Sequence, residues 1–327
     1  HAAGTALRLG AVGRRPPTPA SQARLRGGLH SRSRDRAAIS HHYDLSNAFY
    51  RLLLDETMAY SCGYWTGEEA DFGPADAQRA KLELICRKLA LVPGARLLDI
   101  GCGWGSLTLY AAERYKAQVT AVTLAREQAT YVREQVRERG LEHQVDVVCQ
   151  DYRDIAGGAY EAVTAIEMGE HVGDAEYPAF AAALHRFVRP RGRVLVQQMS
   201  RGSAAPGGGA FIEAYIAPDM HMRPLGDTVG MLETAGLEVR SVESLREHYV
   251  RTVAAWHRTL EERWDDFVRL VGTETARVWR LYLVGGALAF QERRMGVDQI
   301  LSVRPAPGGS SGMPAVPGDW YTQAEER

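Results

Sequence analysis

The fold is decided by one short stretch, Arg96-Leu97-Leu98-Asp99-Ile100-Gly101-Cys102-Gly103-Trp104-Gly105. An apolar run that breaks into closely spaced glycines, followed by a helical pattern, is typical of a buried strand that turns into a helix. The glycines allow a sharp turn and a close backbone approach to a ligand, and the helix directs its free N–H groups at that ligand. The stretch is not the dinucleotide pattern G-x-G-x-x-G, because its third glycine comes one residue early.

Strand and helix patterns alternate from Arg96 onward. The predicted strands are 96–101, 118–124, 144–149, 160–167, 193–199, 237–245 and 297–304. The predicted helices are 75–91, 104–115, 126–139, 175–187, 227–235 and a long helical region from Tyr249 to about Arg294. This alternation predicts an α/β fold with a mostly parallel sheet of seven strands, covered on both faces, whose ligands bind at the carboxyl ends of the strands.

The composition is that of a globular protein, with 327 residues and a net charge of -1. We predict an Arg-rich arm at 1–38, a main domain at 39–305 with an insertion near 200–226 that begins with a Gly/Ser/Ala-rich stretch at 200–209, and a loose tail at 306–327. The near-neutral charge gives no case for binding to nucleic acid, while the basic arm is either a solvated tail or a contact with anionic lipid.

The four cysteines form no C-x-x-C pair, so neither a metal site nor a disulfide framework is indicated, and reduced thiols fit a cytoplasmic protein. No apolar stretch is long enough to span a membrane.

Polar residues follow the second and third predicted strands. Thr123 and Gln128 can bind hydroxyl groups of a ligand, although a helix cap and an exposed glutamine explain them equally well. Asp151 can accept a hydrogen bond from an exocyclic amine, and Tyr152 can pack on an aromatic ring.

Two carboxylates and an imidazole follow the fourth strand, in Glu167-Met168-Gly169-Glu170-His171. Charged residues directly after a buried strand more often serve a site than not, so we favour a functional role over a solvent-exposed loop.

Five ordered motifs together resemble the cyclopropane-fatty-acyl-phospholipid synthases and mycolic acid cyclopropane synthases. The glycine turn is similar to motif I of S-adenosylmethionine-dependent methyltransferases, and the resemblance extends over about residues 40–304. Its motifs are His42-Tyr43-Asp44-Leu45-Ser46-Asn47, Tyr60-Ser61-Cys62-Gly63-Tyr64-Trp65, Asp99 to Gly105, Gln150-Asp151-Tyr152-Arg153-Asp154 and Glu170-His171-Val172-Gly173.

This resemblance implies a class I, Rossmann-like methyltransferase fold with helical additions that form a lipid pocket, and with the 200–226 stretch as a lid. The implied cofactor is S-adenosylmethionine. Its predicted binding residues are Tyr60, Ser61, Asp99, Gly101, Gly103, Trp104, Gly105, Thr123, Leu124, Gln128, Asp151 and Tyr152.

The resemblance also implies a bound bicarbonate ion that acts as the base. Its cage corresponds to Cys62, Glu170 and Tyr249, with Gln197 at the position of the family's histidine. A glutamine can donate a hydrogen bond to an anion, but it cannot carry a proton. We therefore predict Glu170, Tyr249, Cys62 and Gln197 as the catalytic residues.

The implied reaction is methyl transfer to a cis double bond in a phospholipid acyl chain, through a carbocation. The altered cage favours the branch that makes methylene precursors of tuberculostearic-type acids over cyclopropane formation, and a small-molecule N- or O-methyltransferase is a further alternative. A lipid substrate implies peripheral contact with the inner face of the membrane. The sequence leaves open whether the chain forms a homodimer and whether a partner reductase acts on the product.

Overall fold

A single seven-stranded sheet forms the centre of the computed structural model, which describes residues 22–23, 25, 27–35, 38, 46–68, 71–202 and 208–320. The strands are β1 (Arg96–Ile100), β2 (Gln118–Thr123), β3 (Val145–Cys149), β4 (Tyr160–Ile166), β5 (Val188–Arg201), β6 (Glu238–Ser244) and β7 (Met295–Val303). Their order in the sheet is β3-β2-β1-β4-β5-β7-β6. The first five are parallel, and β7 runs antiparallel to both β5 and β6. The predicted mostly parallel sheet of seven strands is confirmed.

Nine helices of at least six residues accompany the sheet in this part of the chain. They are α1 (Asn47–Leu53), α2 (Pro74–Lys88), α3 (Ser106–Tyr115), α4 (Arg126–Glu138), α5 (Tyr177–Phe187), α6 (Ala210–Tyr215), α7 (Leu225–Thr234), α8 (Arg246–Glu262) and α9 (Trp264–Gln291). Short 3-10 helices lie at Tyr152–Asp154, Gly169–His171 and Pro317–Asp319.

Apolar residues on the strands alternate between two cores, one on each face of the sheet. Leu97 packs into the core that includes α1, α2, α8 and α9, while the next residue, Leu98, packs into the core beneath α5 and α7. Successive side chains of a strand point to opposite faces, so an apolar run such as 97–100 is what a doubly covered strand requires. Both faces of the central strands are therefore buried.

The order of the strands reverses between β1 and β4. The chain moves outward from β1 through β2 to β3, and then returns to place β4 on the other side of β1. A crevice forms at the carboxyl ends of the strands where such a reversal occurs, and ligands bind there. The glycine turn that follows β1 and Glu167, which follows β4, both lie at this crevice.

The long helical region predicted between Tyr249 and Arg294 consists of two helices. They meet at Arg263, whose φ and ψ of -112° and 25° are not helical, and Gly272 adds a second break at φ 80° within α9. Strand β5 begins at Val188, five residues before the predicted strand.

Part of the predicted N-terminal arm contacts the main domain. Arg32 pairs with Asp154 at 2.7 Å, and Arg34 pairs with Asp219 at 2.6 Å. These ion pairs place residues 27–35 against the domain, so they are not a purely solvated tail. The motif residues 42–45 and most of the remaining arm lie outside the described residues. Among the described helices, none has the length and apolar character needed to cross a membrane.

Candidate active site

A cavity of about 1240 Å³, including its mouth, opens at the carboxyl ends of β1 to β4. Eleven of the twelve predicted cofactor-binding residues line it: Tyr60, Ser61, Asp99, Gly101, Gly103, Trp104, Thr123, Leu124, Gln128, Asp151 and Tyr152. The tertiary structure thus brings motifs from four separate parts of the chain to one site. Its size and mixed polar and apolar lining are those of a small-molecule site.

The glycine turn shapes one wall of this cavity. The backbone N–H of Gly101 donates to the carbonyl oxygen of Val122 at 2.8 Å, and φ is 77° at Gly101. A Cβ at Gly101 would also lie 2.9 Å from the side chain of Met168, so conformation and space both require glycine there. Gly105 does not line the cavity. A Cβ there would lie 3.0 Å from Val132, so its absence lets the start of α3 pack against α4.

Asp99 is fixed at the end of β1 by two hydroxyl groups. Thr108 donates to its carboxylate at 2.7 Å and Thr164 at 3.0 Å. Burial raises the pKa of Asp99 above its ordinary value, although these two hydrogen bonds favour the ionised form. The carboxylate is thus held rigidly in the wall where the resemblance predicts a cofactor contact.

Gln128 carries an unsatisfied donor into the cavity. Its Oε1 accepts from Thr123 Oγ1 at 2.9 Å, while its buried Nε2 has no hydrogen-bond partner among the residues described. A buried donor without a partner is unfavourable unless a ligand supplies an acceptor. The residue is only 3% exposed, so the alternative of an exposed glutamine is wrong. The site fits a cofactor with oxygen or nitrogen acceptors, such as S-adenosylmethionine.

Ser61 faces a buried cation that the sequence did not indicate. Lys81 Nζ of α2 donates to Ser61 Oγ at 2.6 Å, and Lys81 lines the cavity. Burial lowers the pKa of Lys81 below its ordinary value. Beside it, the hydroxyl oxygens of Tyr60 and Tyr282 lie 3.2 Å apart.

The carboxylate of Asp151 already accepts hydrogen bonds from a cationic side chain. Arg153 donates to both of its carboxylate oxygens, at 2.8 and 2.6 Å, and to Asp35 at 2.9 Å. Burial raises the pKa of Asp151, but the hydrogen bonds from Arg153 outweigh burial and leave it below its ordinary value. Asp35 belongs to the predicted arm and nevertheless lines the cavity, so sequence reasoning missed it.

Three donors converge on the carboxylate of Glu167. Its Oε1 accepts from the backbone N–H of Cys62 and from Gln197 Nε2, both at 2.8 Å, and its Oε2 accepts from the hydroxyl of Tyr249 at 2.6 Å. These are three of the four residues predicted to hold bicarbonate. Cys62 contributes its backbone N–H, while burial raises the pKa of its thiol.

The fourth predicted cage residue, Glu170, does not line the cavity. Its Oε1 accepts from the backbone N–H of Met199, and its Oε2 is buried with no hydrogen-bond partner in the described part of the chain. Burial raises its pKa to about 8, and the negative charge of Glu167 adds to this shift. Burial raises the pKa of Glu167 as well, but three hydrogen-bond donors against one favour its ionised form, so Glu167 holds the negative charge of this buried pair and Glu170 holds the proton.

A bicarbonate ion does not fit this arrangement, because the Glu167 carboxylate already occupies the point where the donors meet. The backbone accounts for this position: Glu167 directly follows β4 and has a φ of 50°, which non-glycine residues rarely adopt. The sequence showed a carboxylate after this strand, but it gave no signal that Glu167 rather than Glu170 faces Cys62, Gln197 and Tyr249.

An apolar cluster centred on the predicted lid adjoins the site. Its buried members are Ile216, Ala217, Met220 and Met222, and they pack with Met199, Phe211, Ile212, Tyr215, Val278, Tyr282 and Met295. Met199 and Tyr282 connect this cluster to Glu170 and to Tyr60 respectively. Methionine side chains are flexible and adapt to irregular apolar ligands.

Comparisons with known proteins identify the family of the chain. Residues 30–300 match the family model described as mycolic acid cyclopropane synthetase. The chain is 40% identical to a "probable fatty acid methyltransferase" of Pseudomonas putida, over 89% of this chain and 75% of that protein. It is 35% identical to the "tuberculostearic acid methyltransferase UfaA1" of Mycobacterium tuberculosis, over 85% of this chain and 67% of that protein.

A solved structure titled mycolic acid cyclopropane synthase CmaA1 complexed with SAH and CTAB superposes with a TM-score of 0.76. It is 28% identical, and the match covers 82% of this chain and 97% of that one. Its title names SAH as a molecule bound to that protein. The chain therefore belongs to the mycolic acid cyclopropane synthetase family of S-adenosylmethionine-dependent methyltransferases.

Proposed function

We propose that this chain transfers a methyl group to the cis double bond of an unsaturated phospholipid acyl chain and forms a methylene-branched product, with Glu167 as the base. The observation that carries this proposal is the convergence of Cys62, Gln197 and Tyr249 on the Glu167 carboxylate, which lines the cofactor cavity. A buried, ionised carboxylate at this position suits proton abstraction next to a short-lived cation.

Residues in the walls of the cavity would bind and orient the cofactor. When bound, S-adenosylmethionine supplies an electrophilic methyl group whose C–S bond electrons remain on sulfur. The fixed carboxylate of Asp99 and the free amide N–H of Gln128 are placed to orient the donor, and the turn at Gly101 allows its close approach. An alkene is a weak nucleophile, so rigid positioning is the main contribution that these residues can make.

The acyl side of the proposal depends on the apolar cluster of the lid. Its methionine and aromatic side chains form an apolar wall that meets the cavity through the Tyr282–Tyr60 contact. A cation that forms on an acyl carbon in such surroundings is stabilised by aromatic faces and is not captured by water.

The chemical step balances with Glu167 as the proton acceptor. The π electrons of the double bond form the new bond to the methyl carbon, and the neighbouring acyl carbon becomes cationic. A hydride then shifts from the methyl-bearing carbon to the cationic carbon. The Glu167 carboxylate removes a proton from the added methyl group, and the electrons of that C–H bond form the exocyclic double bond.

The timing of proton removal favours the methylene product over a ring. Burial raises the pKa of Glu167 above its ordinary value, while the hydrogen bonds from Cys62, Gln197 and Tyr249 oppose this rise and make it a weaker base than burial alone would. A weaker base leaves the cation more time, and the hydride shift can then precede proton loss. Immediate loss of the methyl proton would instead close a cyclopropane ring, the product class that the family name denotes.

Product analysis tests this proposal. Purified protein is supplied with S-adenosylmethionine and vesicles of dioleoyl phospholipid in buffer freed of bicarbonate, and the extracted acyl chains are examined by proton NMR. We expect vinylidene signals. Upfield cyclopropane signals would overturn the methylene product, and activity that requires added bicarbonate would overturn the role of Glu167. Methyl transfer to soluble amines or phenols, with none to lipid, would overturn the substrate class.

A lipid substrate leads to two further parts of this proposal. We place the protein in the cytoplasm, in peripheral contact with the inner face of the membrane, because the acyl chain has to reach the lid cluster. A methylene product keeps a carbon–carbon double bond, so its conversion to a methyl branch would need a separate reductase.

A further inference from the structure

A row of polar side chains crosses three neighbouring strands on the face of the sheet that α2 covers. Gln197 of β5 is the register partner of Gln299 of β7, and Gln299 is in turn the partner of Glu243 of β6. Both glutamines are completely buried. Buried amides in the middle of a sheet are unfavourable unless both ends of each amide are satisfied.

Every hydrogen bond in this row points in one direction. Lys88 Nζ of α2 donates to Gln299 Oε1 at 2.7 Å, Gln299 Nε2 donates to Gln197 Oε1 at 2.8 Å, and Gln197 Nε2 donates to Glu167 Oε1 at 2.8 Å. Lys88 also donates to Glu243, whose side chain is one-third exposed at the edge of the row. The row therefore joins a buried ammonium group to the carboxylate at the active site.

We propose that Lys88 is a positioning residue, which fixes the direction of the Gln299 and Gln197 amides so that an N–H group faces Glu167. The inference rests on the proposed role of Glu167 as the base. An amide has a donor end and an acceptor end, and nothing in its shape prevents rotation by half a turn. A lysine ammonium only donates, so it holds the oxygen of Gln299 toward itself and thereby orients both amides.

Loss of the ammonium would favour the opposite direction. Glu243 lies beside Gln299 in register, and its carboxylate can only accept hydrogen bonds. Without Lys88, Glu243 would attract the N–H₂ group of Gln299, and Gln197 would turn its N–H₂ group toward Gln299. Gln197 would then present its oxygen to Glu167, which favours the protonated acid and disfavours the ionised base.

Other charged and titratable groups also face Glu167, and all of them remain when Lys88 is replaced. They are Glu170 after β4, Lys81 of α2, the thiol of Cys62, and the hydroxyl groups of Tyr249 of α8 and Tyr282 of α9. Loss of the Lys88 charge also acts on Glu167 through space, so a change in the titration of Glu167 is attributed to the amide row only where a variant that keeps Lys88 shows it too.

The test compares four variants of the full chain. K88M removes the charge and keeps the apolar stem, and K88R keeps the charge. Q299M interrupts the row without touching Lys88, and it serves as the test if K88M does not fold. R87M is the matched control, because Arg87 is the neighbouring cation of α2 and pairs with Glu83 instead. Thermal unfolding measures stability for each variant.

Two readouts follow the ionisation of Glu167. The first is the acidic limb of the pH profile of kcat for methyl transfer to oleoyl vesicles. The second is an infrared titration of the protein without cofactor, in which E167Q identifies the Glu167 carboxyl band. Loss of a hydrogen bond to a charged group shifts the pKa of that group by about one unit or more. We expect both readouts to move upward by about that amount in K88M and Q299M, while K88R and R87M stay near the parent protein.

The outcomes separate this inference from the proposed function. If K88M and Q299M fold but both readouts match those of R87M, the positioning role is overturned while Glu167 can still be the base. If E167Q retains methyl transfer, the proposed base is wrong, and the infrared titration alone then decides whether Lys88 orients the row.

Discussion

Replacing Glu167 and Glu170 separately tests which of the two buried carboxylates is the base. In E167Q the amide oxygen can still accept from Cys62 and Gln197, and the hydroxyl of Tyr249 can rotate to accept from the new N–H₂ group. The hydrogen-bond geometry therefore survives, while the negative charge and the basic site are lost. General-base catalysis contributes about 10²- to 10⁴-fold to a rate, so we expect kcat to fall by that factor.

The matched variant is E170Q. The pKa of Glu170 is raised to about 8, so its side chain is a neutral acid at pH 7, and glutamine reproduces its shape and its lack of charge. The amide oxygen can still accept from the N–H of Met199. We therefore expect E170Q to keep kcat within about threefold of the parent protein at pH 7, because no charged group is lost.

The assay is transfer of a labelled methyl group from S-adenosylmethionine to oleoyl phospholipid vesicles at pH 7, with calorimetry of cofactor binding as the control. Neither replacement removes a predicted cofactor contact, so the dissociation constant should change by less than about threefold in both variants. An active E167Q together with an inactive E170Q would refute the reasoning and restore the role that the sequence predicts for Glu170.

Three further predictions concern stability and cofactor binding. G101A should unfold at a lower temperature than G103A, because a Cβ at residue 101 meets Met168 at 2.9 Å whereas one at residue 103 meets nothing within 4 Å; equal melting temperatures would contradict this. Q128L should weaken cofactor binding by about 10-fold, the value of one hydrogen bond in a buried site, with little change in the melting temperature of the free protein; calorimetry with unchanged affinity would contradict it. The pKa of Glu170 is raised from 4.5 to about 8, so the folded protein loses stability as the pH rises between these values. At ~1.4 kcal/mol per pH unit, the largest loss in the free energy of unfolding over this pH range is about 5 kcal/mol. E170Q should therefore match the parent protein near pH 5 in urea unfolding and exceed its stability at pH 8 by about 1 to 3 kcal/mol, whereas an equal difference at both pH values would exclude a buried titrating acid.

Short-range patterns in the sequence were sufficient to predict the architecture of the fold. The order of strands and helices and the glycine turn follow from local hydrophobic periodicity and from glycine's freedom of φ. The same patterns missed the break between α8 and α9 at Arg263, because a single non-helical residue hardly changes the hydrophobic period over that region. They also assigned Asp35 to an arm that is either a solvated tail or a contact with lipid, since its partner Arg153 lies 118 residues further along the chain.

The sequence by itself determined the α/β sheet, the cofactor turn and the set of motifs that marks the family. Only the tertiary structure decided which carboxylate faces Cys62, Gln197 and Tyr249. Glu167 and Glu170 are three residues apart in one polar segment, and their carboxylates meet different partners because of a backbone φ of 50° at Glu167 and a 3-10 helix that contains Glu170. The buried row from Lys88 to Glu167 likewise joins residues far apart in the chain, and such contacts exist only once the strands are paired.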